Sequence, residues 1–244
     1  MLHYEVKGSG NRTLVCLHGF LESLVMWETL PLEKYARLLL IDLPGHGKSN
    51  LKAIDSMRTM AEAVRKIVDR ESVDQYDIIG HSMGGYVALE LKQIDSRCEQ
   101  LVLLNSNVWS DSTQKQEDRK RVAKLVETKK ERFVSEAIPN LFLSPENHDT
   151  AVASLVSEAI GMKSEAIGRA SFAMSERADY SEAVFSGALE LIAIQGEFDP
   201  VADKHRMEKV MQNQMDHFYV VHAGHMAHIE ATEAVMEILQ KILR

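Results

Sequence analysis

A serine set among glycines, Gly80-His81-Ser82-Met83-Gly84-Gly85, is the segment of this chain best placed for nucleophilic chemistry. It follows an apolar run, YDII (76–79), that reads as a strand. It precedes a helical stripe through Val87, Ala88, Leu91 and Ile94. G-x-S-x-G in that context is a nucleophile elbow: a sharp strand-to-helix turn lifts the serine Oγ above the sheet edge. Gly80 and Gly84 remove the Cβ atoms that would collide in such a turn. The start of the helix aims free N–H groups and a positive dipole end at the reacting oxygen.

A serine hydroxyl is a weak nucleophile near neutral pH and needs a base, for which histidine has the suitable pKa. Of the ten histidines, His222, His225 and His228 follow a late apolar run, HFYVV (217–221), and spacing alone does not choose among them. The histidine in turn needs an acid to fix its tautomer and stabilise the imidazolium. Glu197, Asp199 and Asp203 all lie just after the run LELIAI (189–194). Glu197 and Asp203 read as loop or helix-start carboxylates.

These residues need a scaffold that brings strand ends together. TLVCL (13–17), RLLLI (37–41), YDII, LVLL (101–104), LELIAI and HFYVV read as strands. Most lack polar alternation, as strands covered on both faces do. A segment at 4–7 reads as an antiparallel edge strand. Amphipathic stripes through Met57–Val68, through the helix after Ser82, and through Val235, Ile238, Leu239 and Ile242 alternate with the strands. This predicts an α/β three-layer sandwich with a mainly parallel central sheet. The alternation breaks over 105–188, where two or three helices follow one another: one through Val122, Leu125, Val126 and Phe133, one through Val152, Leu155, Val156, Ala159 and Ile160, and a weaker one over 164–177. The expected division is a core of 1–104 and 189–244 with a helical cap insertion at 105–188. The charged stretch 115–132 is expected to be a solvated helix face. Trp109, which opens the insertion, is equally suited to line a pocket or to anchor the core.

Five segments, CLHGF (16–20), DLPGHGKS (42–49), GHSMGG (80–85), GEFDPV (196–201) and AGHMAHIE (223–230), stand in an order that resembles the α/β-hydrolase superfamily over essentially the whole chain. The resemblance implies a serine hydrolase with Ser82 as nucleophile, His225 as base and Asp199 as acid. It selects His225 because the family's histidine follows a glycine, here Gly224, and Asp199 because it occupies the family's G-x-x-D-P position. It places the oxyanion hole at the backbone amides of Phe20 and Met83 and makes His18 a buttress of its loop. The 42–49 segment reads as a structural turn; the long spacing of a phosphate loop is missing.

The expected reaction is hydrolysis of a carboxylic ester of a small or medium molecule through an acyl-enzyme, with no cofactor and no metal. The HGFLES, DLPGHGKS and GHSMGGY segments are also similar to menaquinone-pathway lyases and, more loosely, to carbon–carbon bond hydrolases. Tyr86 stands where the lyases carry an arginine, which counts against that alternative. A non-catalytic ligand receptor is the third reading. With 244 residues, 45% of them hydrophobic, the chain suits one globular domain. Its formal charge of −8, without a basic aromatic stripe, argues against a nucleic-acid partner. No apolar stretch suits a membrane span or a signal peptide, so a cytoplasmic monomer or homodimer acting on a small-molecule substrate is expected. Cys16 and Cys98 form no disulfide framework, and Cys16, inside an apolar run, is expected to be buried and inert.

Overall fold

The computed structural model describes residues 2–243. Seven strands form one sheet: β1 (Tyr4–Lys7), β2 (Thr13–Leu17), β3 (Arg37–Ile41), β4 (Tyr76–His81), β5 (Cys98–Leu104), β6 (Ile192–Gly196) and β7 (Phe218–Val221). Their spatial order is β1-β3-β2-β4-β5-β6-β7, with β1 antiparallel to β3 and every other pairing parallel. The chain therefore runs outward from β2 to β3 on one side and turns back to β4 on the other. The crevice between the carboxyl ends of β2 and β4 is where open α/β sheets bind ligands.

The unbroken apolar strands are explained by cover on both faces. In β2, Leu14 and Cys16 join one buried cluster and Val15 and Leu17 the other. Side chains alternate across a strand, so neither face can be polar when both are packed. Helices α1 (Met57–Arg70) and α2 (Met83–Ile94) bury Met60, Val64, Ile67, Val87 and Leu91 on the Val15 side. α1 starts at a capping box in which Ser56 and Thr59 satisfy each other's amides. Cys16 is fully buried, and burial pushes its thiol pKa up.

Four helices stand between β5 and β6: α3 (Thr113–Ala137, broken at Lys129), α4 (Asp149–Gly161), α5 (Ser164–Ser175) and the short α6 (Ser181–Phe185). The sequence reading of two or three helices missed α6, which is too short to show a periodic stripe. Val126, Val134, Ala159 and Ile167 belong to the same buried cluster as Val15, Leu17 and Ile78, so these helices share the sheet's core. Beyond β6 come α7 (Lys204–Val210), capped by Asp203, then α8 (Ala227–Glu230) and α9 (Thr232–Ile242). α9 covers the opposite face of the sheet with Val235 and Leu239. Strand β6 begins at Ile192 and not at 189, because the Gln214 side chain engages the Leu189 carbonyl and the Leu191 amide. No helix among the described residues is long and apolar enough to cross a membrane.

One of the closest backbone approaches in the fold is between α2 and β2. A Cβ added to Gly84 would run into the backbone carbonyls of Leu17 and His18, which have nowhere to retreat inside the sheet. Gly84→Ala is therefore expected to destabilise the protein by roughly 1–3 kcal/mol. In urea unfolding this reads as a lower midpoint at an unchanged m-value.

Candidate active site

Ser82 sits between β4 and α2 with φ 48° and ψ −115°, a conformation that is strained for any residue with a side chain. Three contacts hold it there. Its amide donates to the Leu104 carbonyl (3.1 Å), and its own carbonyl accepts from the Gly85 amide (3.0 Å) and the Ser106 hydroxyl (2.7 Å). A Cβ at Gly80 would meet the backbone of Gly84 and Gly85, so glycine is needed on both sides of the turn.

His225 Nε2 lies 2.8 Å from Ser82 Oγ, and Nδ1 lies 2.9 and 2.8 Å from the two Asp199 carboxylate oxygens. An ionised carboxylate only accepts, so Nδ1 carries the proton and Nε2 accepts from the serine hydroxyl. The Asp199 side chain is fully enclosed. It also accepts from Asn105 Nδ2 (2.9 Å), Gln195 Nε2 (3.0 Å) and the amides of Val201 (2.8 Å) and Ala202 (3.0 Å). Burial works to raise its pKa, but the charge and hydrogen bond of His225 and the other donors outweigh it and hold the carboxyl below its usual range.

The competing residues lie elsewhere. His222 is exposed and faces Glu197 at 3.5 Å, Glu197 also meets Lys204, and Asp203 caps α7. His228 is buried with neither ring nitrogen hydrogen-bonded, and burial lowers its pKa to about 3. His18 Nε2 accepts the Leu43 amide (2.9 Å) while Nδ1–H donates to the Gly19 carbonyl (2.8 Å), tying the loop after β2 to the loop after β3. Phe20 lines the same cavity as Ser82. Met83 opens α2, so its N–H has no partner within the helix. Asp42 anchors the 42–49 turn by accepting the amides of Leu24 and Lys48.

The sequence reading missed a buried pair below the serine. His81 Nδ1–H donates to Glu22 Oε2 (2.8 Å), and its Nε2–H donates to the His225 carbonyl (3.1 Å). Both partners are acceptors, so His81 is an imidazolium. Burial opposes that charge, yet the Glu22 carboxylate beside it raises the His81 pKa above its usual value. Burial likewise works against the Glu22 charge, and His81 overrides it, lowering Glu22 to about 2. The other duty of Glu22 Oε2 is the Gly19 amide, at 2.6 Å. Glu22, His81 and His228 bring three potential metal-ligand atoms within 4.8 Å of one another. A cation there would have to displace the His81 proton that makes the bond to Glu22.

The cavity over Ser82 has a volume of about 250 Å³. Val122 and Phe133 from α3, Leu155 from α4 and Met174 from α5 line it together with Ser82 and His225. Val152 packs against the shared core, whereas Leu125 is 39% exposed and turns away from it. The charged stretch of α3 is not the uniformly solvated face expected. Lys115, Asp118 and Arg119 line the cavity, and Arg119 pairs with the buried Asp111. The first turns of α3 lie over the sheet edge, so their long polar side chains have pocket wall beneath them. Trp109 is 7% exposed and packs in the core; it is absent from the wall around Ser82 but lines a neighbouring cavity.

The two halves of the Glu22–His81 pair set opposite edges to stability. The raised His81 pKa contributes stability that is fully present below about pH 6.5 and is lost as pH rises through the folded value. The lowered Glu22 pKa contributes stability present above about pH 4.3 and lost as pH falls toward about 2. Glu22→Gln is expected to cost about 3–5 kcal/mol, because it strands a buried imidazolium. It should also flatten the fall in Tm above about pH 6.5 that the raised His81 pKa predicts for the parent. Thermal melts of both proteins across that range are the check.

A family model described as alpha/beta hydrolase fold matches residues 12–159. Over 108 residues the chain is 40% identical to a pimeloyl-[acyl-carrier protein] methyl ester esterase of Nitrosomonas europaea, a stretch that covers 43% of this chain and 41% of the relative. It is 36% identical over 93 residues to the dihydrolipoyllysine-residue acetyltransferase component of an acetoin cleaving system of Cupriavidus necator, covering 37% of this chain and 25% of that one. The chain thus matches well under half the length of these curated relatives. Among solved structures, a thermophilic esterase from Thermogutta terrifontis superposes with a TM-score of 0.91 at 25% identity, over 100% of this chain and 93% of that one. The enol-lactonase from Burkholderia xenovorans LB400 gives 0.89 at 21% identity, over 99% and 96%. The chain belongs to the alpha/beta hydrolase fold family.

Proposed function

We propose that this protein is a serine hydrolase that cleaves a carboxylic ester through an acyl-enzyme. The observation that carries the reading is the continuous hydrogen-bonded relay Ser82–His225–Asp199 at the wall of an apolar cavity. Ser82 Oγ attacks the ester carbonyl as His225 Nε2 takes its proton. The carbonyl oxygen, now an oxyanion, is held by the amides of Phe20 and Met83. Collapse of the tetrahedral intermediate breaks the ester C–O bond, and His225 returns the proton to the leaving alcohol. Water enters, gives a proton to His225 and attacks the acyl carbon; collapse of this second tetrahedral intermediate breaks the bond to Ser82 Oγ, and His225 returns the proton to that oxygen as the acid leaves. Asp199 stays ionised throughout, fixing the Nδ1–H tautomer and stabilising the imidazolium.

Helices α3 to α5 serve as a cap in this reading. Their Val122, Phe133, Leu155 and Met174 side chains supply much of the apolar wall and exclude bulk water from the acyl-enzyme.

Ser82→Ala is expected to lower ester turnover by roughly 10⁴–10⁶ and to abolish labelling by a fluorophosphonate probe. Asp199→Asn is expected to fold and to lose roughly 10⁴ in kcat, because the amide favours the wrong imidazole tautomer. A panel of p-nitrophenyl esters of graded chain length measures both. A probe-reactive Ser82 with no turnover of any ester would overturn ester hydrolysis in favour of carbon–carbon or lyase chemistry.

A further inference from the structure

Beside the cavity over Ser82 lies a second one of about 210 Å³. The two are contiguous: Tyr86, Lys115, Arg119 and Val201 line both. Four cations line the second, Lys115, Arg119, Arg177 and Arg206, against one carboxylate, Asp111. Asp111 is buried between Arg119 and Arg177 and pairs with both. Arg177 is further occupied by the Trp109 and Met174 carbonyls and lies 4.3 Å over the Tyr86 ring. That cluster keeps one positive charge in excess. The other two cations have no carboxylate partner among the described residues. Lys115 is exposed at the rim, and the Arg206 guanidinium lies 4.3 Å above the Trp109 ring with its edge unbonded. Asp118, on the wall of the first cavity, is engaged by Arg121 and Gln114 and does not neutralise them. The second cavity therefore holds three net positive charges in a chain whose formal charge is −8.

We propose that this second cavity is a subsite for the anionic end of the substrate, so that the preferred ester carries a carboxylate or phosphate at the far end of an apolar spacer. The proposal rests on the ester reading above and adds the substrate's charge to it. The apolar cavity takes the spacer and places the ester carbonyl at Ser82. Lys115 and Arg206 then close on the terminal anion, with the Arg119–Asp111–Arg177 cluster supplying a positive floor beneath. A guanidinium held flat on an indole ring presents its N–H edge ready-ordered for an anion's two oxygens, so little side-chain freedom is lost on binding. The position recognised is beside Tyr86 but is built from the cap and from α7.

The test compares mono-p-nitrophenyl esters of dicarboxylic acids, from succinate to suberate, with p-nitrophenyl alkanoates of equal length, and includes the matching ω-phosphonates. The readout is the ratio of kcat/KM for anionic over neutral ester, in which any general loss of activity cancels. The expected ratio is roughly tenfold or more at the best length, which is about 1.4 kcal/mol of discrimination. It should fall toward unity in a Lys115→Met, Arg206→Leu double variant and in 0.5 M NaCl, since rim charges are screened. Carboxylate against phosphonate at that length tells which anion the pocket takes. A ratio near unity in the parent, or one unchanged by the double variant, overturns the subsite. Calorimetry with adipate against its neutral isostere adipamide reads the same subsite without turnover: tighter adipate binding that the double variant loses supports it, and equal binding overturns it. Failure of every ester together with selective adipate binding would instead overturn the ester reading and leave the subsite standing.

Discussion

The buried ion pair between Glu22 and His81 is the constraint on which the arrangement above the sheet depends. Through Glu22 it holds the Gly19 amide, and through His81 it holds the His225 carbonyl. Three segments from three strand ends, the loop after β2, the elbow after β4 and the loop after β7, are thereby tied at one point. A buried ion pair of this kind adds little net stability compared with apolar residues of the same volume. What it supplies is geometry. If either partner were neutral, the link from the Gly19 amide through Glu22 and His81 to the His225 carbonyl would be weakened, leaving His225 held by Asp199 and by the Leu141 carbonyl.

The rest of the site follows from strands that run parallel and so end on one edge. β2 delivers Phe20, β4 Ser82, β5 Asn105 and Ser106, β6 Asp199 and β7 His225. Two of these residues, Ser82 and Asn105, have positive φ without being glycine. Leu21, beside Phe20, is a third. Such strain persists only where the surroundings over-determine it. For Asn105 the reward is visible: its side-chain amide reaches both Asp199 and the Gly224 carbonyl, joining Asp199 to the loop that carries His225.

Much of this was legible in the sequence where the information is local. The elbow is written in consecutive residues, and the two-sided cover of the sheet in the unbroken apolar runs. The choice among His222, His225 and His228 is not local. They lie within seven residues and differ only in burial and direction, so the resemblance to a family had to choose where spacing had not. Glu22 and His81 are 59 positions apart, and neither sits in a pattern that calls for the other. Asn105 and Gln195 read as ordinary strand-end amides until Asp199 is placed between them. The charged stretch of α3 misled for a related reason. Lys and Arg at helical spacing look the same whether water or a pocket lies beyond, and only the tertiary position of Arg119 against Asp111 separates the two.

The proposed cap is fastened to the base it would cover. The His225 amide donates to the Leu141 carbonyl at 2.7 Å, within the turn that follows α3. Glu230 spans the same gap, accepting the Gly224 amide with one oxygen and the Leu143 and Ser144 amides with the other. The segment just after α3 therefore cannot swing away as a rigid lid without releasing the backbone on both sides of the Gly224–His225 bond. The break at Lys129 divides α3 into an outer part carrying Lys115, Arg119 and Val122 and an inner part carrying Phe133 and leading to Leu141. The outer part is held against α5, where the Arg119 carbonyl accepts the Ser171 hydroxyl, and by the Arg119–Asp111 pair, so the two halves of the helix are anchored to different neighbours.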